Sequence, residues 1–349
     1  MINVGLVGFG FGGRYFHAPV MRGVAGLRLA AIVHRHGAEA EELYPEVRVV
    51  RSLDELLALP DLQLIVVTTP NPSHYELARQ SLMSGRHVVI DKPMTPTSAE
   101  AKELARIAEE KRLVLSVYQN RRWDGDFLTV KKLIAEGVLG QLISYESHYE
   151  RYRPQRRPQV WRERNEAGSG VLFDIGVHLI DQAMSLFGRP KSVFAEVRCE
   201  REGAVVDDAF DVVLHYDRMR AFLRGTMFAA APGPRFVLHG VRGSYVSQHF
   251  DPQEEALKRG EAPRDSTWGA AAEETWGMLS TSQDDKNVVQ RTIPTERGDY
   301  CGYYENVRDA ILGQATLSVT PEQAIDVLRA IELARESSRK GCVVPWSQE

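Results

Sequence analysis

A chain of 349 residues is longer than one ordinary core organises, so two domains are expected. Its 43% hydrophobic and 26% charged residues are the proportions of a soluble globular protein. A formal net charge of −4 gives no basic excess for gripping nucleic acid or anionic lipid, and no run of about 18 apolar residues exists to span a bilayer. Cys199, Cys301 and Cys342 lie far apart, which points to neither a disulfide framework nor a zinc site, and no metal is expected. Ile2–Val7 reads as a strand with no basic n-region before it, so no signal peptide and a cytoplasmic location are expected.

Along the first 120 residues strand and helix signals alternate. Short Val/Ile/Leu-rich runs at 2–7, 27–33, 47–50, 64–68, 87–90 and 113–117 predict parallel strands covered on both faces. Between them Ser52/Glu55, Ser73/Glu76 and Thr97/Glu100 stand at capping-box spacing, and Gly85 falls where a helix-ending glycine belongs. The pattern predicts a doubly wound Rossmann-type α/β domain over 1–121.

From residue 122 to 349 the grammar changes to an α+β domain with a large, mostly antiparallel open sheet. Helices are predicted at 125–136 and 171–187, then strands at 192–199, 209–216, 221–227 and 235–246. Residues 251–285 are polar with little periodicity and read as a lid or surface excursion, to which Trp268 and Trp276 would belong. Helices follow at 303–312 and 321–339, the second with Thr320 as cap and Pro321 at its first position.

The turn Gly8-Phe9-Gly10-Phe11-Gly12-Gly13 follows the first strand and opens a helix. Gly8 permits the tight turn, Gly10 lets a pyrophosphate approach the backbone, and Gly13 lets helix and strand pack closely; the N–H groups near Phe11 and Gly12 face the anion. Chains that bind NAD carry an acidic residue about 20 residues further on. Here the second strand ends Val33-His34-Arg35-His36, where a guanidinium could bind a 2′-phosphate through two hydrogen bonds, so NADP(H) is favoured over NAD(H).

Two further clusters carry possible chemistry. Asp91-Lys92-Pro93 follows the fifth strand, at the sheet edge where ligands bind in such folds, and a lysine there could stabilise an alkoxide-like oxygen. Asp174 and His178 stand at i, i+4 on one predicted helix face, an arrangement in which a carboxylate supports a histidine base. The same spacing also fits a surface ion pair, or a core histidine satisfied by Asp181. Asn120, Tyr152, Arg153, Trp161, Arg162 and Tyr304 are weaker candidates for substrate contact, and packing roles fit them as well.

Taken in order, Gly8-x-Gly10-x-x-Gly13, Thr69-Pro70-Asn71-x-x-His74, Asp91-Lys92-Pro93 and Asp174-x-x-x-His178 resemble the Gfo/Idh/MocA oxidoreductase family over most of the chain. Tyr15-Phe16-His17, Tyr118-Gln119-Asn120-Arg121-Arg122-Trp123-Asp124 and Tyr303-Tyr304-Glu305-Asn306 are similar to the branch containing NADP-dependent scyllo-inositol dehydrogenases. The resemblance implies that Lys92 is the catalytic lysine, with Asp91 in place of the more usual glutamate. It implies that Asp174 and His178 face the nicotinamide, and that Thr69, Asn71 and His74 line the cofactor cleft. It further implies a homo-oligomer, dimer or tetramer, acting on a secondary hydroxyl of a cyclitol or sugar. Cofactor-assisted glycoside cleavage and a non-enzymatic cofactor-binding sensor are the competing readings.

Overall fold

In the computed structural model, residues 1–263, 267–282 and 287–347 are described. They form two compact units that are not consecutive segments. The first comprises 1–123, 253–268 and 299–325; the second comprises 124–252, 269–298 and 326–349. Where the sequence suggested one unbroken domain after residue 121, two later segments thus return to the first unit.

The first unit is built on β1 (Ile2–Val7), β2 (Leu27–Val33), β3 (Arg48–Val50), β4 (Leu64–Val67), β5 (His87–Ile90) and β6 (Leu115–Val117). All pair in parallel in the order β3-β2-β1-β4-β5-β6, the doubly wound order that reverses between β1 and β4. Leu64, Ile65, Val66 and Val67 are fully buried, as are Val88, Val89 and Ile90. Each such side chain contributes about 1.5–3 kcal/mol on burial, so the strand ends that carry the motifs are firmly anchored. Short helices α1 (Ala18–Arg22), α2 (Glu39–Leu43) and α3 (Leu53–Leu57) are followed by α4 (His74–Met83) and α5 (Ser98–Lys111).

The caps at Ser52 and Thr97 form as the sequence predicts, the second as a complete capping box with Glu100. The cap expected at Ser73 does not form. A 3-10 turn over Asn71–Ser73 precedes α4, and the Ser73 hydroxyl lies instead within hydrogen-bond distance of Thr69 Oγ1 and of the Pro70 carbonyl.

The second unit opens with α6 (Gly125–Ala135) and β7 (Leu142–Glu150), followed by α7 (Val177–Phe187). β8 (Ser192–Arg198), β9 (Ala209–His215), β10 (Arg220–Thr226), β11 (Phe236–Gly240) and β12 (Gly243–Ser247) come next. After α8 (Gln253–Lys258) of the first unit come β13 (Gly277–Ser282) and β14 (Val288–Ile293). The chain closes with α9 (Cys301–Ile311) of the first unit, α10 (Pro321–Lys340) and β15 (Val344–Pro345). The nine strands run β14-β13-β12-β11-β7-β10-β9-β8-β15, antiparallel except for β7 with β10.

Three expectations are corrected here. The stretch 235–246 is a hairpin turning at Val241-Arg242, not one strand. The polar stretch 251–285 holds α8 and β13 rather than a structureless lid, with 264–266 and 283–285 outside the described residues. Trp268 is buried, its indole N–H donating to Gln253 Oε1 at 3.1 Å. The sequence reading also passed over β7, which lies inside the sheet. Its inward positions Tyr145, Ser147 and Tyr149 alternate with polar outward ones, so it shows little aliphatic signal.

The strand register draws a row across the half-exposed face of this sheet: Phe194, Val213, Phe222, Glu146, Val237, Val246 and Met278. Six of the seven are apolar.

Candidate active site

In the first unit the glycine turn lies where β1 ends, beside the switch point of the sheet. Gly8 has φ of +100°, a conformation that side chains with a Cβ avoid. A Cβ on Gly13 would stand 2.3 Å from the Gly8 carbonyl oxygen, so only glycine lets the helix start so close to the strand. A Cβ on Gly10 would meet nothing within 4 Å, which leaves the turn open on the side where a phosphate would approach. The helix that follows is wound as a π-turn over Gly12–His17 before tightening into α1. Its first N–H groups have no intrahelical acceptor by geometry and suit an anion. This cradle fits a dinucleotide pyrophosphate.

At the end of β2, Arg35 is exposed, while the His34 carbonyl accepts a 2.7 Å hydrogen bond from Arg51. Arg51 also pairs with Glu41 at 2.8 Å. The sequence reading did not single out this second guanidinium, because it follows β3 and reaches the β2 loop only through sheet pairing. Glu39 is the acidic group beside this loop, 3.7 Å from His34 Nε2.

At the end of β4, Asn71 and His74 are buried and Thr69 is half-buried. His74 braces two loops, its ring nitrogens lying 2.9 Å from the Pro93 carbonyl and 2.7 Å from the Thr69 carbonyl. Burial pushes the His74 pKa down, and the nearby Asp91 carboxylate and these carbonyls oppose that shift. His74 thus ties the Thr69 loop to the segment containing Lys92.

Asp91 accepts the Lys92 N–H at 2.8 Å, and its Oδ2 lies 2.9 Å from where a Cβ on Gly12 would stand. Burial works to raise its pKa, but His17, Lys92 and His74 outweigh it and hold the carboxyl at about 2. The Lys92 side chain is half-buried. Tyr304, expected as a substrate contact, is fully buried with its hydroxyl 2.6 Å from His17 Nδ1. Asn120 is buried in a 3-10 turn after β6.

In the second unit Asp174 and His178 straddle a junction, Asp174 in a π-turn over Leu172–Gly176 and His178 in α7. Wide π-turns concentrate at functional sites. Asp174 is partly exposed and paired with Arg162 at 3.1 Å, so one weak candidate and one strong one meet. Arg162 also stacks over Trp161 at 4.8 Å. His178 is 6% exposed. Tyr152 and Arg153 are exposed on the preceding segment.

The start of this helix is fastened by Asp207, which the sequence reading missed. Its Oδ2 accepts the Leu172 N–H at 2.7 Å and its Oδ1 accepts from Arg335 at 2.9 Å. Gly170, with φ of +96°, is required because a Cβ there would stand 2.3 Å from Asp207 Oδ1. Further along, Gln182 accepts from Arg235 at 3.0 Å, and the buried Arg235 pairs with Asp126 at 3.2 Å.

Comparison with known proteins places this geometry. Residues 2–119 match the family model of the oxidoreductase family with an NAD-binding Rossmann fold. Residues 131–345 match the model of its C-terminal alpha/beta domain. An uncharacterized oxidoreductase, YdgJ of Escherichia coli, is 44% identical over 97% of this chain and 96% of its own. A scyllo-inositol 2-dehydrogenase (NADP(+)) of Bacillus subtilis is 41% identical over 97% of this chain and 94% of its own. The structure of the putative oxidoreductase yvaA from Bacillus subtilis superposes with a TM-score of 0.96 at 40% identity, covering 99% of this chain and 98% of that one. Two matched domains and relatives of near-equal length lead to one conclusion: the chain belongs to the Gfo/Idh/MocA family and is an NAD(P)-binding oxidoreductase.

Proposed function

We propose that this enzyme is an NADP(H)-preferring dehydrogenase that oxidises a secondary hydroxyl of a cyclitol or related sugar, with scyllo-inositol as the model substrate. The full-length likeness to the Bacillus subtilis NADP-dependent scyllo-inositol dehydrogenase carries this reading. The coenzyme preference is supported by Arg35, exposed where β2 ends, with Arg51 anchored to the same loop. The Arg35 guanidinium there suits a 2′-phosphate, with Arg51 bracing the loop, and a charge-assisted contact of this kind contributes about 1.5–3 kcal/mol.

The cofactor-binding set is then Gly8, Gly10, Phe11, Gly12, Gly13, Arg35, Thr69, Asn71, His74, Asp91 and Lys92. Held by these residues, NADP+ would supply the hydride acceptor for oxidation of the carbinol carbon. Lys92 donates to the substrate oxygen and stabilises its developing negative charge. His178 takes the hydroxyl proton, and Asp174, held by Arg162, stabilises the imidazolium that results. Trp161, Arg162, Tyr152, Arg153 and Asn120 are the candidates for recognising the substrate's other hydroxyls.

The apolar row across the second unit's sheet supports a homo-oligomer in which a second copy covers that face. A spectrophotometric screen of inositols, inososes and aldoses with NADP+/NADPH and NAD+/NADH in parallel tests the functional reading. The expected result is turnover of a cyclitol or sugar with NADP+ preferred, a preference that Arg35→Ala reduces about 10-fold or more. Preference for NAD+ in the wild type contradicts the Arg35 assignment. Release of a free sugar from a glycoside added to the panel, with no net cofactor change, indicates glycoside cleavage, and cofactor binding without turnover indicates a sensor.

A further inference from the structure

The three sequence segments similar to one branch of the family supply no reacting group to the reaction just described, yet within the first unit a residue from each meets at one buried point. His17 is fully buried, with Nδ1 2.6 Å from the Tyr304 hydroxyl and its ring 4.2 Å from that of Tyr118. Tyr303 meets Tyr118 and Tyr304 edge-on, at 4.9 and 5.2 Å. The Tyr303 hydroxyl donates to Ser116 Oγ at 3.0 Å, and that hydroxyl donates to the Val319 carbonyl at 2.8 Å. The imidazole is therefore clamped on a rigid aromatic wall.

On its other side, His17 Nε2 lies 3.6 Å from Asp91 Oδ1. That distance is longer than a hydrogen bond but close for a charge–dipole contact in a buried place. The same Oδ1 accepts the Lys92 N–H at 2.8 Å. A bare Nε2 would set its lone pair against a half-buried carboxylate, so Nε2 carries a proton. Tyr304 then donates to Nδ1 in the neutral imidazole, or accepts from it in the imidazolium; both keep Nε2–H aimed at Asp91.

We propose that His17, oriented by Tyr304, is a positioning residue that holds the Asp91 carboxylate on the Lys92 backbone and so fixes the Asp91-Lys92 corner beside the glycine turn. The proposal rests on the reading of Lys92 as a group at the reacting centre. Without an Nε2–H, the Asp91 carboxylate loses its partner on one side and is free to rotate or take up a proton. Lys92 moves with it, and a displacement of about 1 Å at a reacting centre costs up to about 100-fold in rate.

The test combines single and double variants, assayed with scyllo-inositol and NADP+, with nitrogen-15 spectra of the His17 imidazole in the intact protein. His17→Leu is expected to lower kcat about 10–100-fold with NADP+ affinity kept. His17→Gln, whose amide N–H can reach Asp91, should recover most of that loss. Tyr304→Phe should show a smaller loss than His17→Leu. Because His17 acts through Lys92, adding His17→Leu to Lys92→Met should cost nothing further.

Wild-type kcat in His17→Leu, or a full multiplicative loss on top of Lys92→Met, overturns the positioning role. Wild-type kcat in Lys92→Met overturns instead the reading of Lys92. The spectra decide the geometry whatever substrate is used and even if His17→Leu does not fold. A protonated Nε2 near neutral pH is expected, and an Nδ1–H tautomer with bare Nε2 overturns the proposal.

Discussion

The two units hold their chemistry by opposite means. In the first, each motif is the continuation of a buried parallel strand: the glycine turn after β1, Thr69–His74 after β4, and Asp91-Lys92 after β5. The strand fixes the position and a few residues of local chain do the rest. In the second, Asp174 and His178 ride on one helix that is held by groups far away in sequence: Asp207 and Arg335 at its start, Arg162 on Asp174, Arg235 with Asp126 on Gln182. A site of the first kind can be recognised from a short window. A site of the second kind shows its reactive residues in sequence and conceals what keeps them in place.

The largest effect is expected from removing the proposed reacting groups, Lys92 and His178, one from each unit. His178→Ala and Lys92→Ala are each expected to lower kcat about 10²–10⁴-fold while NADP+ still binds, read by steady-state kinetics with cofactor titration. Unchanged turnover in both would break the assignment. Next comes the hidden support. Asp207→Ala removes the acceptor for the Leu172 N–H and leaves Arg335 without its carboxylate, so it should destabilise the protein by about 1–3 kcal/mol in denaturant unfolding. An unchanged midpoint would show that the second unit's helix is self-sufficient after all.

The smallest effect is expected at Glu254, on the segment that returns to the first unit. Burial pushes its pKa up, but Arg121 and Lys258 outweigh this and hold the carboxyl at about 2, against an ordinary 4.5. A depressed carboxylate pKa stabilises the fold above the ordinary value, and that contribution is lost as pH falls through 4.5 toward 2. Asp91, also at about 2, acts in the same window. Glu254→Gln should therefore flatten, without abolishing, the fall of Tm on acidification. An acid profile identical to the wild type would mean the Arg121 pair contributes nothing.

The parallel sheet was legible because its strands are short aliphatic runs and its turns carry glycines that nothing else can replace. The six strands, the helix cap at Ser52, the capping box at Thr97, and the glycine turn follow from such local rules. Ser73 shows the limit of those rules: the 3-10 turn before α4 leaves it with helical backbone angles, and its hydroxyl faces the Pro70 carbonyl instead of capping the helix. β7 was passed over because its buried side is tyrosine and serine, and the 251–285 stretch because α8 and β13 are too short to show a period. The fastening of Asp207 to Leu172 spans 35 residues, and the Arg235–Asp126 pair spans 109. Pairings over such distances leave no mark in a local window.

The central claim is that the protein moves a hydride from a cyclitol carbinol carbon to NADP+. It is tested most directly by supplying scyllo-inositol deuterated on its ring carbons with NADP+, then weighing the cofactor by mass spectrometry. The account predicts reduced cofactor carrying one deuterium, and its loss in His178→Ala. Cofactor recovered oxidised and free of deuterium with the wild-type enzyme would contradict it.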